Sequence, residues 1–150
     1  MNNFYSDLSK QVHSLINDEK NIIANMANIS ALLFENISNI NWVGFYRLID
    51  NQLVIGPFQG KTVCIRIAIG KGVCGTCVKI KETIIVDNVH NFKGHITCDS
   101  ESKSEIVIPL FNKTEIIGVL DIDSPIYNRF DNEDKIGLEN IVKILTENIN

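Results

Sequence analysis

The feature that most constrains the fold of this chain is the change of hydrophobic period at Trp42. Before Trp42, apolar residues recur every three or four positions, which is the spacing of one face of an α-helix. After it, they alternate or form short runs between turn-forming residues, as strands do. Strand-like runs continue to about residue 123, and a second helical pattern closes the chain. Helices at both ends of a run of hairpin-connected strands predict an α+β fold.

Three long helices are predicted outside the strand region. The first covers residues 3–17 and the second runs from about Asp18 to Asn36. The second has a broad apolar face, which is expected to cover a sheet or to pack against another subunit, so a homodimer is one expectation. The C-terminal helix is expected to begin at Asp131 as its N-cap, with Asp134 at the N3 position of a capping box.

The strand-like runs lie at residues 42–48, 53–56, 62–67, 83–87, 105–111 and 115–123, with a short helix expected over 70–79. A turn at Asp50–Asn51 joins the first two strands as a hairpin, and a turn at 112–114 joins the last two. This pattern predicts a mostly antiparallel sheet of five or six strands. Helices are expected on one face of the sheet, and loops forming a ligand pocket on the other.

Length and charge limit the possible classes of protein. A chain of 150 residues with 45% hydrophobic content has the size of one globular domain, predicted over 1–150. The formal net charge of −4 provides no basic field for nucleic acid or anionic membranes, which favours a small molecule or a protein as partner. No apolar run approaches the ~20 residues of a membrane helix, and the N-terminus is unlike a signal peptide, so a cytoplasmic location is expected.

Four cysteines, at Cys64, Cys74, Cys77 and Cys98, form the pattern C-x9-C-x2-C-x20-C. A reducing compartment disfavours structural disulfides, which leaves metal ligands, redox pairs or buried side chains. A zinc site completed by His90 and His95 lacks a second short C-x2-C unit, and a thioredoxin-type motif lacks its βαβ context. The remaining interpretation is a nucleophilic cysteine with resolving cysteines nearby.

Cys98 is the candidate nucleophile, because it lies in a polar loop with His95 and Lys103 on either side. A partly exposed polar setting of this kind can keep a thiol as a reactive thiolate. A solvent-facing cysteine without a role is the alternative.

Acidic residues form the second candidate feature. Asp121 and Asp123 are two positions apart in a strand and therefore share a face, and Glu105 opens the preceding strand. Carboxylates in such apolar runs are costly to bury unless they bind a cationic group, so they are candidates for holding an ammonium group or protonating a breaking bond. Strand-end acids in water are the alternative. Trp42 and Tyr46 are candidates for a pocket wall, although core packing also explains a strand tryptophan.

These motifs together resemble the free methionine-(R)-sulfoxide reductases, enzymes built on a single GAF domain. The matching segments span residues 41 to 135 in order. They are Asn41-Trp-Val-Gly-Phe-Tyr46, Gly56-Pro-Phe-Gln-Gly-Lys61, Cys64, Gly70-Lys-Gly-Val-Cys-Gly-Thr76, Asp87 to His90, Gly94-His-Ile-Thr-Cys-Asp99, Ser104-Glu-Ile-Val-Ile-Pro-Leu110 and Ile117-Gly-Val-Leu-Asp-Ile-Asp-Ser124.

The resemblance implies a role for each matching residue. Cys98 matches the nucleophile, Cys64 the main resolving cysteine, and Cys74 a third cysteine able to share in disulfide formation. The acidic groups around the amine and sulfoxide of free methionine sulfoxide correspond to Glu105, Asp121 and Asp123, and the aromatic residue at its methyl end corresponds to Trp42. Cys77 departs from the family, in which a small residue such as alanine often stands there.

The reaction implied is thiolate attack on the sulfoxide sulfur, formation of a sulfenic acid on Cys98, and its condensation with Cys64 or Cys74 to a disulfide. An external dithiol, expected to be thioredoxin, then reduces the disulfide. No metal and no prosthetic cofactor is expected. The alternative function is a non-catalytic GAF domain that senses a small ligand or the redox state.

Overall fold

The computed structural model describes residues 1–95 and 101–149. In chain order, the helices and strands in this part of the chain are α1 (Asn3–Ile16), α2 (Ile22–Asn36), β1 (Trp42–Ile49), β2 (Gln52–Gln59), β3 (Arg66–Ala68), α3 (Gly72–Ile80), β4 (Ile84–Val86), β5 (Ser104–Asn112), β6 (Glu115–Ser124) and α4 (Asn132–Glu147). The strands form one six-stranded sheet of order β3-β2-β1-β6-β5-β4. All neighbouring strands are antiparallel, which confirms the predicted α+β fold.

Three of the helices cover one face of the sheet. Alternate residues of β1, β5 and β6 point to this face and pack against α1, α2 and α4 in one continuous apolar core. The sheet contributes Val43, Phe45, Ile106, Ile108, Leu110, Leu120 and Ile122 to this core. The two-residue period of the strands therefore places every second side chain among the helices, as predicted.

The opposite face carries α3 and a second, smaller core that includes Trp42, Tyr46, Val107 and Val119. Helix α3 lies very close to the edge strand, since a Cβ atom added to Gly75 would be 2.4 Å from the backbone oxygen of Ala68. The prediction that the helices and the pocket lie on opposite faces of the sheet is correct for α1, α2 and α4. It is wrong for α3, which lies on the pocket face.

Several predicted boundaries were wrong. Helix α2 begins at Ile22 and not near Asp18, because the side chain of Asn21 caps it by accepting a hydrogen bond from the Ala24 N–H at 3.0 Å. Strand β2 extends to Gln59, past the expected end at Gly56, since a register irregularity accommodates Pro57, which has no N–H to donate.

The third strand is also shorter than predicted. It covers Arg66–Ala68 instead of residues 62–67, so Cys64 lies in the loop that precedes it. Side chains from β1 hold this loop in place of a strand partner. The indole Nε1 of Trp42 donates to the backbone oxygen of Lys61 at 2.9 Å, and the Tyr46 hydroxyl donates to that of Cys64 at 3.0 Å.

The predicted turns and caps are confirmed. Asp50 and Asn51 both have positive φ values, of 51° and 63°, as a two-residue hairpin turn requires. Asp131 and Asp134 form a complete capping box at the start of α4.

Helix α2 buries Met26, Ile29 and Leu33 against the sheet and leaves Ile23 and Phe34 exposed. The homodimer stays a prediction. No helix in the described ranges has the length and apolar character needed to cross a membrane.

Candidate active site

The pairing of β5 with β6 brings the three acidic residues together on the pocket face. Glu105 lies directly opposite Asp123, and Asp121 lies two residues earlier on β6, opposite Val107. Glu105 and Asp121 are each only 6% exposed, and Asp123 is 8% exposed. They are therefore buried carboxyl groups and not strand-end acids in water.

These carboxyl groups line a small space of about 40 Å³, which we call the acidic cavity. The residues around it come from β1, β3, β5 and β6, from the first turn of α3 and from the loops that precede β3 and β5. They are Tyr46, Val63, Ile67, Gly72, Val73, Cys74, His95, Ser102, Glu105, Asp121 and Asp123. Polar groups thus converge from several elements on one apolar-walled site, which is the usual organisation of a small-molecule site.

Burial determines the protonation of the carboxyl groups. It raises the pKa of Glu105 well above its usual value, and the nearby charges of Asp121 and Asp123 raise it further. Burial also raises the pKa of Asp121, while hydrogen bonds from Glu105 and Cys74 act in the opposite direction. Glu105 is therefore the group best suited to hold a proton, which it can donate to either aspartate.

One carboxylate oxygen in the acidic cavity has no hydrogen-bond donor among the described residues. Asp121 Oδ1 is buried and accepts no hydrogen bond in the structure. Because an unpaired buried carboxylate oxygen is costly, it marks a position where a bound donor is strongly favoured.

Cys74 belongs to the same group. Its Sγ atom and one carboxylate oxygen each of Glu105 and Asp121 lie within 4.8 Å of one another. Cys74 is a free, buried cysteine, and burial followed by the charge of Asp121 raises its pKa well above the usual value. The side chain is therefore a neutral thiol that donates to Asp121, and a poor thiolate nucleophile.

The other described cysteines differ in environment. Cys64 is disulfide-bonded and half-buried in the loop before β3. Cys77 is a free, fully buried cysteine that points at the backbone oxygen of Val107, and burial raises its pKa to about 12. Cys98, the predicted nucleophile, lies outside the described residues.

Within residues 1–95 and 101–149, the cysteines do not converge with His90 and His95 on the zinc site that the sequence allows. Within residues 1–95 and 101–149, the group of three potential metal ligands is Cys74, Glu105 and Asp121, with no histidine and no second cysteine. The Cys74–Cys77 unit does not converge, because Cys74 faces the acidic cavity and Cys77 faces the core.

Tyr46 lines the acidic cavity, whereas Trp42 does not do so within the described residues. Trp42 is fully buried and stacks against Tyr46 and Phe58, with ring centroids 6.2 Å and 5.3 Å away. Gly60 makes room for the indole, since an added Cβ would lie 2.5 Å from it. The contact of Trp42 with the substrate methyl group stays a prediction.

Val63, Ile67, Val73 and Ser102 also line the cavity, although the sequence gives no sign of a site role for them. Their patterns are those of ordinary strand, helix and loop residues, and only the tertiary fold brings them together. His95 was considered as a group that supports a thiolate at Cys98. Burial, together with the charge of His90, lowers the pKa of His95, which favours a neutral imidazole at the cavity wall.

Comparison with known proteins identifies the family to which the chain belongs. The GAF domain model matches residues 22–149. The free methionine-R-sulfoxide reductase of Escherichia coli strain K12 is 52% identical over 139 residues, which cover 93% of this chain and 84% of that protein. The chain belongs to the free methionine-R-sulfoxide reductase family of GAF domains.

Solved structures of this family have the same fold as this chain. The reduced form of fRMsr of Staphylococcus aureus superimposes with a TM-score of 0.95 at 57% identity, covering 97% of this chain and 95% of that one. The free methionine-R-sulfoxide reductase from Neisseria meningitidis, solved in complex with its substrate, gives a TM-score of 0.94 at 41% identity, covering 97% and 87% respectively. The sequence-based assignment to this family is confirmed.

Proposed function

We propose that this chain reduces free methionine-(R)-sulfoxide to methionine. The observation that carries the proposal is the acidic cavity, in which three buried carboxyl groups and a thiol meet. Val63 on the cavity wall directly precedes the disulfide-bonded Cys64 in the chain. Membership of the reductase family, at 52% identity to the Escherichia coli enzyme, supports the same reaction.

The acidic cavity offers a partner for the charged ends of a free amino acid. The ammonium group is assigned to Asp121, whose buried Oδ1 lacks a donor, and to Asp123 beside it. The carboxylate is assigned to the first turn of α3 at Gly72 and Val73, because the first N–H groups of a helix have no intrahelical acceptors and attract anions.

In the proposed reaction, the Cys98 thiolate attacks the sulfoxide sulfur while Glu105 donates a proton to the oxygen. The S–O bond of the substrate breaks, the protonated oxygen passes to Cys98 to form a sulfenic acid, and methionine leaves. The raised pKa of Glu105 supports its role as the acid. Chain connectivity supports the role of Cys98, which lies three residues after His95 and four before Ser102, both on the cavity wall.

Resolution is assigned to Cys64. Its thiol condenses with the Cys98 sulfenic acid, releases water and forms a disulfide. The disulfide-bonded state of Cys64 supports this pairing, as do the free, buried thiols of Cys74 and Cys77. An external dithiol, which we propose is thioredoxin in the cytoplasm, supplies the two electrons and two protons that restore both thiols. No prosthetic group takes part.

The test is methionine release from free methionine-(R)-sulfoxide with thioredoxin or dithiothreitol as reductant. Cys98→Ser should release no methionine even in a single turnover. Cys64→Ser should release about one methionine per chain and then stall with thioredoxin, because attack and resolution are separate steps.

Cys74→Ser is the matched control, since it replaces a buried thiol at the same cavity by another donor. It should continue to turn over. Normal turnover by Cys98→Ser would contradict the mechanism, and an inactive parent protein would favour a GAF domain that only senses a ligand.

A further inference from the structure

We propose that the surface around Cys64 is the docking site for the external dithiol reductase, and that the reductase attacks the Cys64 sulfur. This inference rests on the proposed function, which requires a Cys64 disulfide to be reduced in every cycle. We call this surface, formed by Ile65, Arg66, Ile69 and Lys71, the Cys64 rim.

Access singles out Cys64 among the described cysteines. Cys74 and Cys77 are buried, whereas Cys64 is half-buried in the loop before β3. The next residue, Ile65, is 66% exposed, more than any other large hydrophobic side chain in the described part of the chain, and Ile69 nearby is 38% exposed. A large apolar side chain that is exposed to water one residue after a disulfide-bonded cysteine is a candidate anchor for a protein partner.

The backbone of this segment is fixed in place. Tyr46 donates its hydroxyl to the Cys64 carbonyl at 3.0 Å, and the Ile55 N–H donates to the Ile65 carbonyl at 2.9 Å. Strand β3, which follows, is the edge strand of the sheet. A partner therefore meets a preorganised backbone and loses little conformational entropy in ordering it.

The charge of the segment indicates the chemistry of the partner. Residues 60–71 contain Lys61, Arg66 and Lys71 but no acidic residue, although the whole chain has a net charge of −4. Lys61 forms an ion pair with Glu101 at 2.7 Å, while Arg66 and Lys71 are exposed on the rim. The complementary partner has an apolar surface around its reactive thiol and acidic residues at the edge of that surface.

The exchange follows from this placement. The reductase thiolate attacks Cys64 Sγ, which forms a mixed disulfide and releases Cys98 as a thiolate. The second reductase thiol then attacks the mixed disulfide, frees Cys64 and leaves the reductase oxidised. Two electrons pass from the reductase to the chain, and both cysteines recover their protons.

The experiment traps the first step. The protein is oxidised with diamide and mixed with thioredoxin whose second active-site cysteine is replaced by serine, and the rate of mixed-disulfide formation is measured with mapping of the adduct. Ile65→Asp is compared with Ile136→Asp, a 41% exposed isoleucine on α4, and dithiothreitol serves as a reductant too small to need a docking surface.

We expect Ile65→Asp to lower the thioredoxin rate about tenfold or more, because an interface anchor is worth at least ~1.4 kcal/mol. Ile136→Asp should react like the parent, the dithiothreitol rates should be equal in all three, and the adduct should map to Cys64. The inference would be overturned if Ile65→Asp were trapped at the parent rate or if the adduct mapped to Cys98. It would also be overturned if Ile65→Asp lowered the rate of reduction by dithiothreitol by the same factor as the thioredoxin rate. Failure of the parent to reduce methionine sulfoxide with dithiothreitol is a separate result, which overturns the proposed function alone.

Discussion

Where residues 105–106 of β5 pair with residues 122–123 of β6, the two faces of the sheet bury side chains of opposite chemistry. On the helix-covered face, Ile106 and Ile122 are fully buried among apolar side chains. On the other face, their chain neighbours Glu105 and Asp123 are buried as carboxyl groups. Because a strand alternates its side chains, a single residue step separates the two environments.

The helix-covered face therefore contributes to the stability of the fold, and the other face to its chemistry. The helix-covered face gains free energy from the burial of apolar surface, which stabilises the fold. The other face buries carboxyl groups, which cost free energy unless a proton or a ligand compensates them. Substitutions at neighbouring positions should therefore have effects of different kinds, and the following predictions test that division.

The largest effect is expected on the pocket face. Glu105→Gln removes the proposed proton donor, so kcat/KM should fall roughly 10²- to 10⁴-fold. The melting temperature should be unchanged or higher, because an amide is easier to bury than a carboxyl group. Steady-state kinetics and thermal unfolding measure the two quantities. Glu115→Gln, at the exposed start of β6, is the control and should alter neither.

The neighbouring substitution should show the reverse behaviour. Ile106→Ala leaves a cavity in the main core, and the free energy of unfolding should fall by about 2–5 kcal/mol. Activity per folded molecule should stay within a few-fold of the parent. Denaturant unfolding and active-site titration measure this. A loss of kcat/KM as large as that of Glu105→Gln would break the division between the faces.

Blocking the amino group of the substrate should lower kcat/KM by a smaller factor. An N-acetyl group removes the ammonium charge, and a charge-assisted hydrogen bond is worth ~1.5–3 kcal/mol, so kcat/KM should fall roughly 10- to 100-fold. The ratio for free against N-acetylated methionine-(R)-sulfoxide should shrink in Asp121→Asn and Asp123→Asn. Equal use of both substrates by the parent would show that these aspartates do not bind the amine.

The smallest effect concerns the pH dependence of stability. The pKa of Glu105 is raised in the folded state, so the folded protein keeps a proton that the unfolded chain releases near its ordinary pKa of ~4.3. The stabilising contribution is complete below that value and is lost as the pH rises through the raised pKa. Unfolding titrations should show a flatter pH profile for Glu105→Gln, and identical profiles would contradict the burial argument.

The sequence predicted the parts of the fold that depend on local periodicity. The alternation from Glu115 to Asp123 placed both aspartates on one face, and Asp131 with Asp134 marked the start of α4. Boundaries set by long-range contacts were missed, as at Pro57, where the irregular pairing with β1 decides the length of β2. The acidic cavity was predicted through its carboxyl groups, since buried charge conflicts with an apolar strand. Its apolar walls and the burial of Cys74 depend on where α3 packs, which no local pattern encodes.

The position of Trp42 gives this protein an optical probe of its own. It is the single tryptophan of the chain, it is fully buried, and its indole nitrogen is tied to Lys61, three residues before Cys64. Its ring also stacks on Tyr46, whose hydroxyl holds the Cys64 carbonyl. Intrinsic fluorescence excited at the indole band therefore arises from one known site that is mechanically connected to the redox loop. We expect this fluorescence to differ between the oxidised and the reduced protein, so that both reactions can be followed without a label.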